Sequence, residues 1–358
     1  VYPSPEEQGA SPQVDASSLQ VRSLTAVDHA RWDAFVEQRP EATFFHRAGW
    51  ATVMQRAFGH AVHFLLAEAD GAIRGVLPLV HVRSRLFGDS LASIPFGVYG
   101  GILADSPAAF AALDRAACAL AEELRVDYLE YRNLEPRHPE WPTKDLYVTF
   151  RKALAPEVEA NMNAIPRKQR RMVRKGIKAG LTSTFDPDLE RFYPIFAANV
   201  RRLGTPVFSR RYFETLREVF GDDCRVLTAM HGDQPVASVV TFYFRDEVLP
   251  YYGAGTPEAR QVAGYDFLYW ELMRRACEDG CRVFDFGRSK LDTGSYSFKK
   301  NWGFEPQPLY YEYHLVRADA MPNVNPLNPK YRYFIAAWKR LPLPVANWLG
   351  PRLSRSLG

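Results

Sequence analysis

The feature that most constrains how this chain can fold is an internal repeat. Phe45-His46-Arg47-Ala48-Gly49-Trp50 opens a helical stretch ending at Phe58, and Phe208-Ser209-Arg210-Arg211-Tyr212-Phe213 opens another ending at Phe220. Each is followed by an apolar strand, a tight turn and a second strand: 63–67, Asp70-Gly71 and 75–80 in one copy, 225–229, Gly232-Asp233 and 236–240 in the other. The turn residues supply the positive φ that short hairpins require. A glycine-containing strand end comes next, Tyr99-Gly100-Gly101 against Tyr252-Gly253-Ala254-Gly255. An amphipathic helix follows, 108–124 and 265–279, and then a closing strand, 128–132 against 284–288, which gives Arg132 and Arg288 matching places. Two ordinary αβ segments can look alike, but so many landmarks in one order point to duplication.

The repeat divides the chain into a leader at 1–18, a first αβ unit at 19–153, a second at 154–316 and a tail at 317–358. The leader is rich in Pro, Ser and Glu and is expected to be disordered. With 358 residues, 47% hydrophobic and 24% charged, the chain can bury two sizeable cores. No apolar run approaches bilayer length, and the opening residues lack the apolar core of a signal peptide. A cytoplasmic protein is expected, at most touching the inner face of the membrane. Cys118, Cys224, Cys277 and Cys281 have neither CxxC nor zinc spacing and read as small apolar side chains in a reducing compartment. There is no HExxH, no Gly-x-Ser-x-Gly elbow and no Walker loop, so metal, serine-hydrolase and NTPase chemistry are not expected. His46, near a helix start, is expected to cap or pack.

Chemistry concentrates at 285–304. A strand-like run ends at Gly287, a polar loop follows, and an aromatic-basic cluster surrounds Phe298, Lys299 and Trp302. A cation beside a glycine-flanked strand end suits a place where negative charge develops. Lys299 is either that group or a surface lysine on a strand. Arg288 and Ser289 would hold a carboxylate or phosphate, or Arg288 would form an ion pair with Asp285 or Asp292. Asp285 is a base, an orienting group or a loop anchor. Tyr252 and Tyr296 are further substrate-binding candidates, Tyr252 with strand-end packing as its other role. Arg260-Gln261-Val262-Ala263-Gly264-Tyr265 is an incomplete pyrophosphate loop, with Arg260 and Gly264 the matching positions. The run 166–178 is strongly basic, and helical spacing puts Arg167, Arg170, Arg171 and Arg174 near one face. That face would bind the diphosphate of a nucleotide- or lipid-linked sugar, the acceptor stem of tRNA or an anionic membrane, or would be a solvated helix. The tail stretch 331–340, with Trp348 beyond it, is basic and amphipathic; it would lie on a membrane or pack on the body.

Thr43-Phe44-Phe45-His46, Pro95-Phe96-Gly97-Val98-Tyr99-Gly100-Gly101, Tyr147-Val148-Thr149-Phe150, Phe284-Asp285-Phe286-Gly287-Arg288-Ser289 and Tyr296-Ser297-Phe298-Lys299 carry a family resemblance. From about residue 20 onward the chain resembles the Fem-type peptidyltransferases, most closely the FemAB-related proteins associated with PEP-CTERM/exosortase systems of exopolysaccharide-producing bacteria. The resemblance implies an α/β fold: two tandem GNAT-like (acyl-CoA N-acyltransferase fold) domains with mixed sheets flanked by helices, and a C-terminal helical tail. The first domain would be non-catalytic and the second catalytic. Fem proteins move an amino acid from aminoacyl-tRNA to an amine of a peptidoglycan precursor, with a Phe-Lys pair at the reaction centre that Phe298-Lys299 matches. The coiled-coil arm that contacts tRNA in that family has no counterpart here.

The resemblance thus implies an acyl or aminoacyl transferase acting on an anionic sugar or lipid-linked precursor of the cell envelope or an exopolysaccharide. Lys299, Phe298 and Asp285 would be catalytic. Acyl-CoA or aminoacyl-tRNA would be the co-substrate, with no resident cofactor. A small-molecule acyl-CoA N-acyltransferase and a non-catalytic binder of anionic glycan or RNA are the alternatives.

Overall fold

Two mixed sheets of the same plan form the body of the protein. The computed structural model describes residues 19–84, 88–322 and 329–357, with backbone alone at 329–332; the leader lies outside the described residues. In the first sheet the strands run Gln20–Ser23, Ala61–Ala69, Ala72–Ser84, Gly88–Ser93, Tyr128–Asn133, Tyr310–Leu315, Thr143–Lys144. In the second they run Leu181–Asp186, Cys224–His231, Gln234–Phe244, Glu247–Gly255, Val283–Asp285, Arg151–Ala153. Each begins as an antiparallel meander of four strands. Each then makes one parallel pairing, Ser90 with Tyr128 and Glu247 with Val283. A parallel neighbour needs a crossover, and the helices Pro107–Leu124 and Gly264–Glu278 supply it.

The last positions of the two sheets cross the expected boundaries. Tyr310–Leu315, read as part of the second unit, pairs antiparallel with Tyr128–Asn133 in the first sheet and carries Thr143–Lys144 on its other side. Arg151–Ala153, read as the end of the first unit, pairs with Val283–Asp285 in the second. Each half therefore donates a strand to the other, which hydrophobic patterning cannot reveal because either sheet satisfies it. A three-stranded ribbon, Tyr147–Thr149 flanked by Ser289–Lys290 and Gln307–Pro308, bridges the sheets.

Equivalent helices of the two copies pack on each other. Gly49–Val53 lies against Arg210–Phe220, and a Cβ on Gly49 would stand 2.7 Å from Val219, so only glycine allows this approach. Phe44 stacks on Phe242 at 4.4 Å and meets Phe220 at 4.6 Å, giving one continuous aromatic core between the halves. His46 both packs and caps here. Its Nδ1 accepts from the Thr43 amide at 3.1 Å and its Nε2 lies 3.1 Å from the Gly101 carbonyl.

Two expected strand segments are loops. Tyr99-Gly100-Gly101 follows a turn with positive φ at Ile94 and Phe96, and the buried Arg132 guanidinium fixes it through the Ile94 and Gly97 carbonyls at 3.2 and 2.8 Å. The strand expected over 284–288 stops at Asp285. There the carboxylate accepts from the Gly287 amide at 2.7 Å, and Gly287 turns the chain with φ of +65°. The tail forms two helices, Pro329–Arg340 and Leu343–Ser354, that pack on Phe192–Leu203.

Candidate functional site

Lys299 lies on a short helix, Gly294–Asn301, not on a strand. Thr293 caps it, its hydroxyl accepting from the Tyr296 amide at 3.4 Å. Lys299 is the buried residue of this helix, 8% exposed. Its Nζ donates to the Gly287 carbonyl at 2.9 Å and the Arg288 carbonyl at 3.0 Å. It stands 5.6 Å from the Phe150 ring centroid. Burial pushes the ammonium down to about 7, against the pull of Asp285 and helped by repulsion from Arg288. An ammonium has three N–H groups and two are engaged, so one has no partner among the described residues.

Asp285 is 1% exposed and acts as the hub beneath this loop. It accepts from the Tyr99 hydroxyl at 2.8 Å as well as the Gly287 amide, and the Arg151 guanidinium lies 3.5 Å away. Burial raises its carboxyl while Arg151 and the Gly287 amide hold it down. Beside it is a cavity of about 10 Å³, room for one water, walled by Thr43, Phe45 and Tyr99 from one half and Glu247 and Leu249 from the other. No substrate-sized space adjoins Asp285 there, and its partners make it a loop anchor.

The other expected residues divide. Tyr296 stays near Lys299, its ring edge-on to Phe150 at 5.5 Å with Lys300 Nζ 5.8 Å above it. Phe298 points instead into the second core, against Tyr269, Phe286 and Trp302, because adjacent helix positions diverge by about 100°. Arg288 is partly exposed and makes no ion pair with Asp285 or Asp292 among the described residues. It lies 4.5 Å from the Tyr147 ring centroid and donates to the Tyr311 hydroxyl at 3.2 Å. Arg132, expected to match it, is 3% exposed and paired with Glu130 at 2.6 Å. Ser289 is buried, its Oγ has no hydrogen-bond partner among the described residues, and its backbone pairs with Val148. Tyr252 feels the Arg288 charge, but its hydroxyl is engaged by Tyr212 at 2.8 Å and its ring packs on Phe196, Phe208 and Phe213. It belongs to the core between the halves rather than to a cleft wall.

The basic helix spans Arg167–Lys178, with seven cations and no carboxylate in its 12 residues. Gln169, Val173 and Gly176 form its buried stripe, and a Cβ on Gly176 would stand 2.8 Å from Phe267. Arg167, Arg171, Arg174 and Lys178 are exposed; Arg170 is half-buried and donates to the Asn163 side chain at 2.9 Å. Arg171, Met172, Arg174, Lys175 and Lys178 line an open groove of about 480 Å³. Asp266 ties this helix to the lysine helix: it accepts from Gln169 and, at 3.2 Å, from the Trp302 indole.

The pyrophosphate-loop candidates are less suited to an anion. Arg260 is exposed at the end of Pro257–Gln261, and Gly264 is buried against Ala259. Asp266 puts a carboxylate in the first turn of Gly264–Glu278 and accepts from its own amide. That occupies one of the donors a phosphate would use.

Tyr147, Lys144, Lys290 and Tyr311 stand around Arg288, and the sequence reading named none of the four as a site candidate. Their signal, aromatic and basic residues on short strand fragments, is weak before the strand exchange is known.

The acetyltransferase (GNAT) domain family matches residues 163–300, which include the basic helix and Lys299. No curated protein sequence matches the chain. Among solved structures, FemX superposes with a TM-score of 0.64 at 15% identity, covering 83% of this chain and 98% of its own. The C-terminal domain of a putative lysylphosphatidylglycerol synthetase from Agrobacterium fabrum gives 0.56 at 14% identity, covering 80% of this chain and 91% of its own. A tandem GNAT protein from the clavulanic acid biosynthesis pathway gives 0.53 at 16% identity, covering 85% of this chain and all 100% of its own. At such identities the likeness establishes fold, and with the paired sheet plans it makes this chain an α/β protein of two tandem GNAT-like domains, FemX-like in its arrangement.

Proposed function

We propose that the protein is an acyl or aminoacyl transferase whose reaction centre is Lys299 in the second GNAT-like domain. The observation that carries this is the buried ammonium on the Gly287 and Arg288 carbonyls, with one N–H uncommitted. An acceptor amine would attack the donor's carbonyl, forming the C–N bond as the bond to the leaving group breaks. The amine's proton would leave with the released group. The free N–H of Lys299 would hold the oxyanion, in a setting of low dielectric that strengthens the contact. Asp285 would keep the loop in place without touching substrate.

An anionic acceptor, a sugar or lipid-linked precursor of the cell envelope or an exopolysaccharide, fits the excess of cations around this centre. FemX and the lysylphosphatidylglycerol synthetase domain are fold neighbours, which makes aminoacyl-tRNA the donor to test first. The carboxylate of Asp266 at the helix start weighs against acyl-CoA. The outward cations of the basic helix would track tRNA phosphates.

The tail would touch an anionic membrane. Val345, Trp348 and Arg352 share one outward face, and the stripe Ala346, Gly350, Ser354 is buried. Tyr333 and Trp348 are 80% and 62% exposed, and no acidic residue follows Asp319. No helix among the described residues is long and apolar enough to cross a membrane, so the contact would be peripheral.

The test is transfer from labelled aminoacyl-tRNA and from a panel of acyl-CoAs to amine-bearing acceptors, with wild type and Lys299→Met. Removing the oxyanion donor is expected to slow transfer about 10²–10³-fold. A folded Lys299→Met protein with full activity would overturn the mechanism. Saturable acyl-CoA turnover without tRNA preference would replace the donor.

A further inference from the structure

Three cations converge on the bridging ribbon without a carboxylate among them. Lys290 sits opposite Tyr147 in antiparallel register, with its Nζ 5.8 Å from that ring's centroid. The Arg288 guanidinium lies 4.5 Å from the same ring. Lys144 enters from the first sheet, where it pairs with Tyr311, and its Nζ lies 5.5 Å from the Tyr313 ring. Only neutral partners are present among the described residues: the Tyr311 hydroxyl for Arg288, and the Pro322 carbonyl at 3.1 Å for Lys144. The Lys290 ammonium has no hydrogen-bond partner there.

The neighbouring carboxylates do not neutralise the group. Glu130 is committed to Arg132 at 2.6 Å and to the Tyr313 hydroxyl. Asp145 and Asp292 are exposed and make no ion pair among the described residues. Burial, Arg288 and Lys144 together push Lys290 down to about 8. Lys144 is lowered by burial and by Arg132 and Arg288, against a pull from Glu130. Like charges gathered without a counter-charge destabilise the free protein and suit an anion that arrives.

The count of charges selects the ligand. A carboxylate would leave two of the three cations uncompensated and a phosphate dianion one, whereas a diphosphate carries enough charge to match all three. Lysine donors rotate to follow tetrahedral oxygens, and the arginine fork adds two parallel donors. All four side chains, Lys144, Tyr147, Arg288 and Lys290, keep partial exposure, so the position is reachable. We propose that Lys144, Arg288 and Lys290 form a phosphate subsite that holds a phosphomonoester or diphosphate of a substrate beside the Tyr147 ring. It is coupled to the reaction centre through one peptide unit, because Lys299 donates to the Arg288 carbonyl at 3.0 Å. The proposal rests on the transferase reading only in naming the carrier of the phosphate a substrate.

The test is calorimetric titration of the full chain with inorganic pyrophosphate, and with succinate in parallel, at low fixed salt. Variants are Lys144→Gln, Lys290→Gln and, on the basic helix, Arg171→Gln with Arg174→Gln. Pyrophosphate is expected to bind, succinate at least about tenfold more weakly, and each lysine variant about tenfold more weakly than wild type. The basic-helix variant should stay within about twofold. Each lysine variant should also melt no lower than wild type, since it relieves repulsion; a purely structural lysine would lower the melting temperature. Absence of pyrophosphate binding, unchanged affinity in both lysine variants, or equal loss in the basic-helix variant would overturn the subsite. Lys299→Met separates the two ideas: it should lose transfer and keep pyrophosphate.

Discussion

Replacing Lys299 by Met tests the buried ammonium without any substrate. Methionine keeps the unbranched stem and removes the charge. The ammonium titrates at about 7 in the folded protein and at 10.5 as a free side chain. Between those values the unfolded chain binds more protons than the folded one, so wild-type stability rises with pH across the window. The penalty is fully present below about 7 and disappears as pH climbs through the unfolded value. From pH 7 to pH 9 the wild type should gain about 2 kcal/mol relative to Lys299→Met, at about 1.4 kcal/mol per pH unit and allowing for half-protonation at pH 7. The lost hydrogen bonds to Gly287 and Arg288 affect both pH values alike and cancel.

His138 titrates in the same window with the opposite sign. Burial lowers it, but bonds to Asp114 and Glu312 prevail and raise it to about 9, so its stabilisation is lost as pH rises through that value. It is present in both proteins and drops out of the difference. Urea unfolding of both proteins at pH 7, 8 and 9 gives the comparison. Parallel stability curves would refute the claim that the ammonium is buried in the folded state.

Four further outcomes are expected. Glu130→Gln leaves the Arg132 guanidinium buried without its carboxylate and should lower stability by about 3–5 kcal/mol, read by chemical denaturation. Gly350→Ala places a Cβ 2.8 Å from the Val207 side chain and 2.9 Å from its backbone nitrogen, so it should cost about 1–3 kcal/mol, read by thermal melting. Tyr333→Ser with Trp348→Ser should reduce cosedimentation with phosphatidylglycerol vesicles by about tenfold or more, with little effect on melting, because both side chains are exposed. If the basic helix binds tRNA, each of Arg171→Gln and Arg174→Gln should lower the slope of log affinity against log salt by about 0.7–0.9, whatever the tRNA sequence.

Local pattern made much of the architecture legible. The hairpin turns at Asp70-Gly71 and Gly232-Asp233 and the amphipathic crossover helices announce themselves in nearest-neighbour chemistry, and the structure has them where expected. Lys299 was singled out through its place in the Phe298-Lys299 pair, since a lysine next to another lysine carries no local mark of burial. Phe298 and Tyr252 were drawn into the site by proximity in sequence, and side-chain direction sends both into cores. Arg288 was singled out for its charge, but the absence of an acidic partner among the described residues depends on which side chains surround it in space.

The sequence by itself determined the two αβ units, their order of elements, the basic helix and the amphipathic tail, because each follows from periodicity and turn chemistry within a few residues. The tertiary structure decided what no local pattern encodes. It sent Tyr310–Leu315 back to the first sheet and Arg151–Ala153 into the second, since either strand could satisfy its hydrogen bonds on either sheet and only the closure of the whole fold chooses. That exchange brings Tyr311 and Lys144 beside Arg288, and burial against the 287–288 loop and the Phe150 ring gives Lys299 its lowered affinity for a proton. A charge acquires its chemistry from the dielectric and the partners around it, and both are properties of the folded chain.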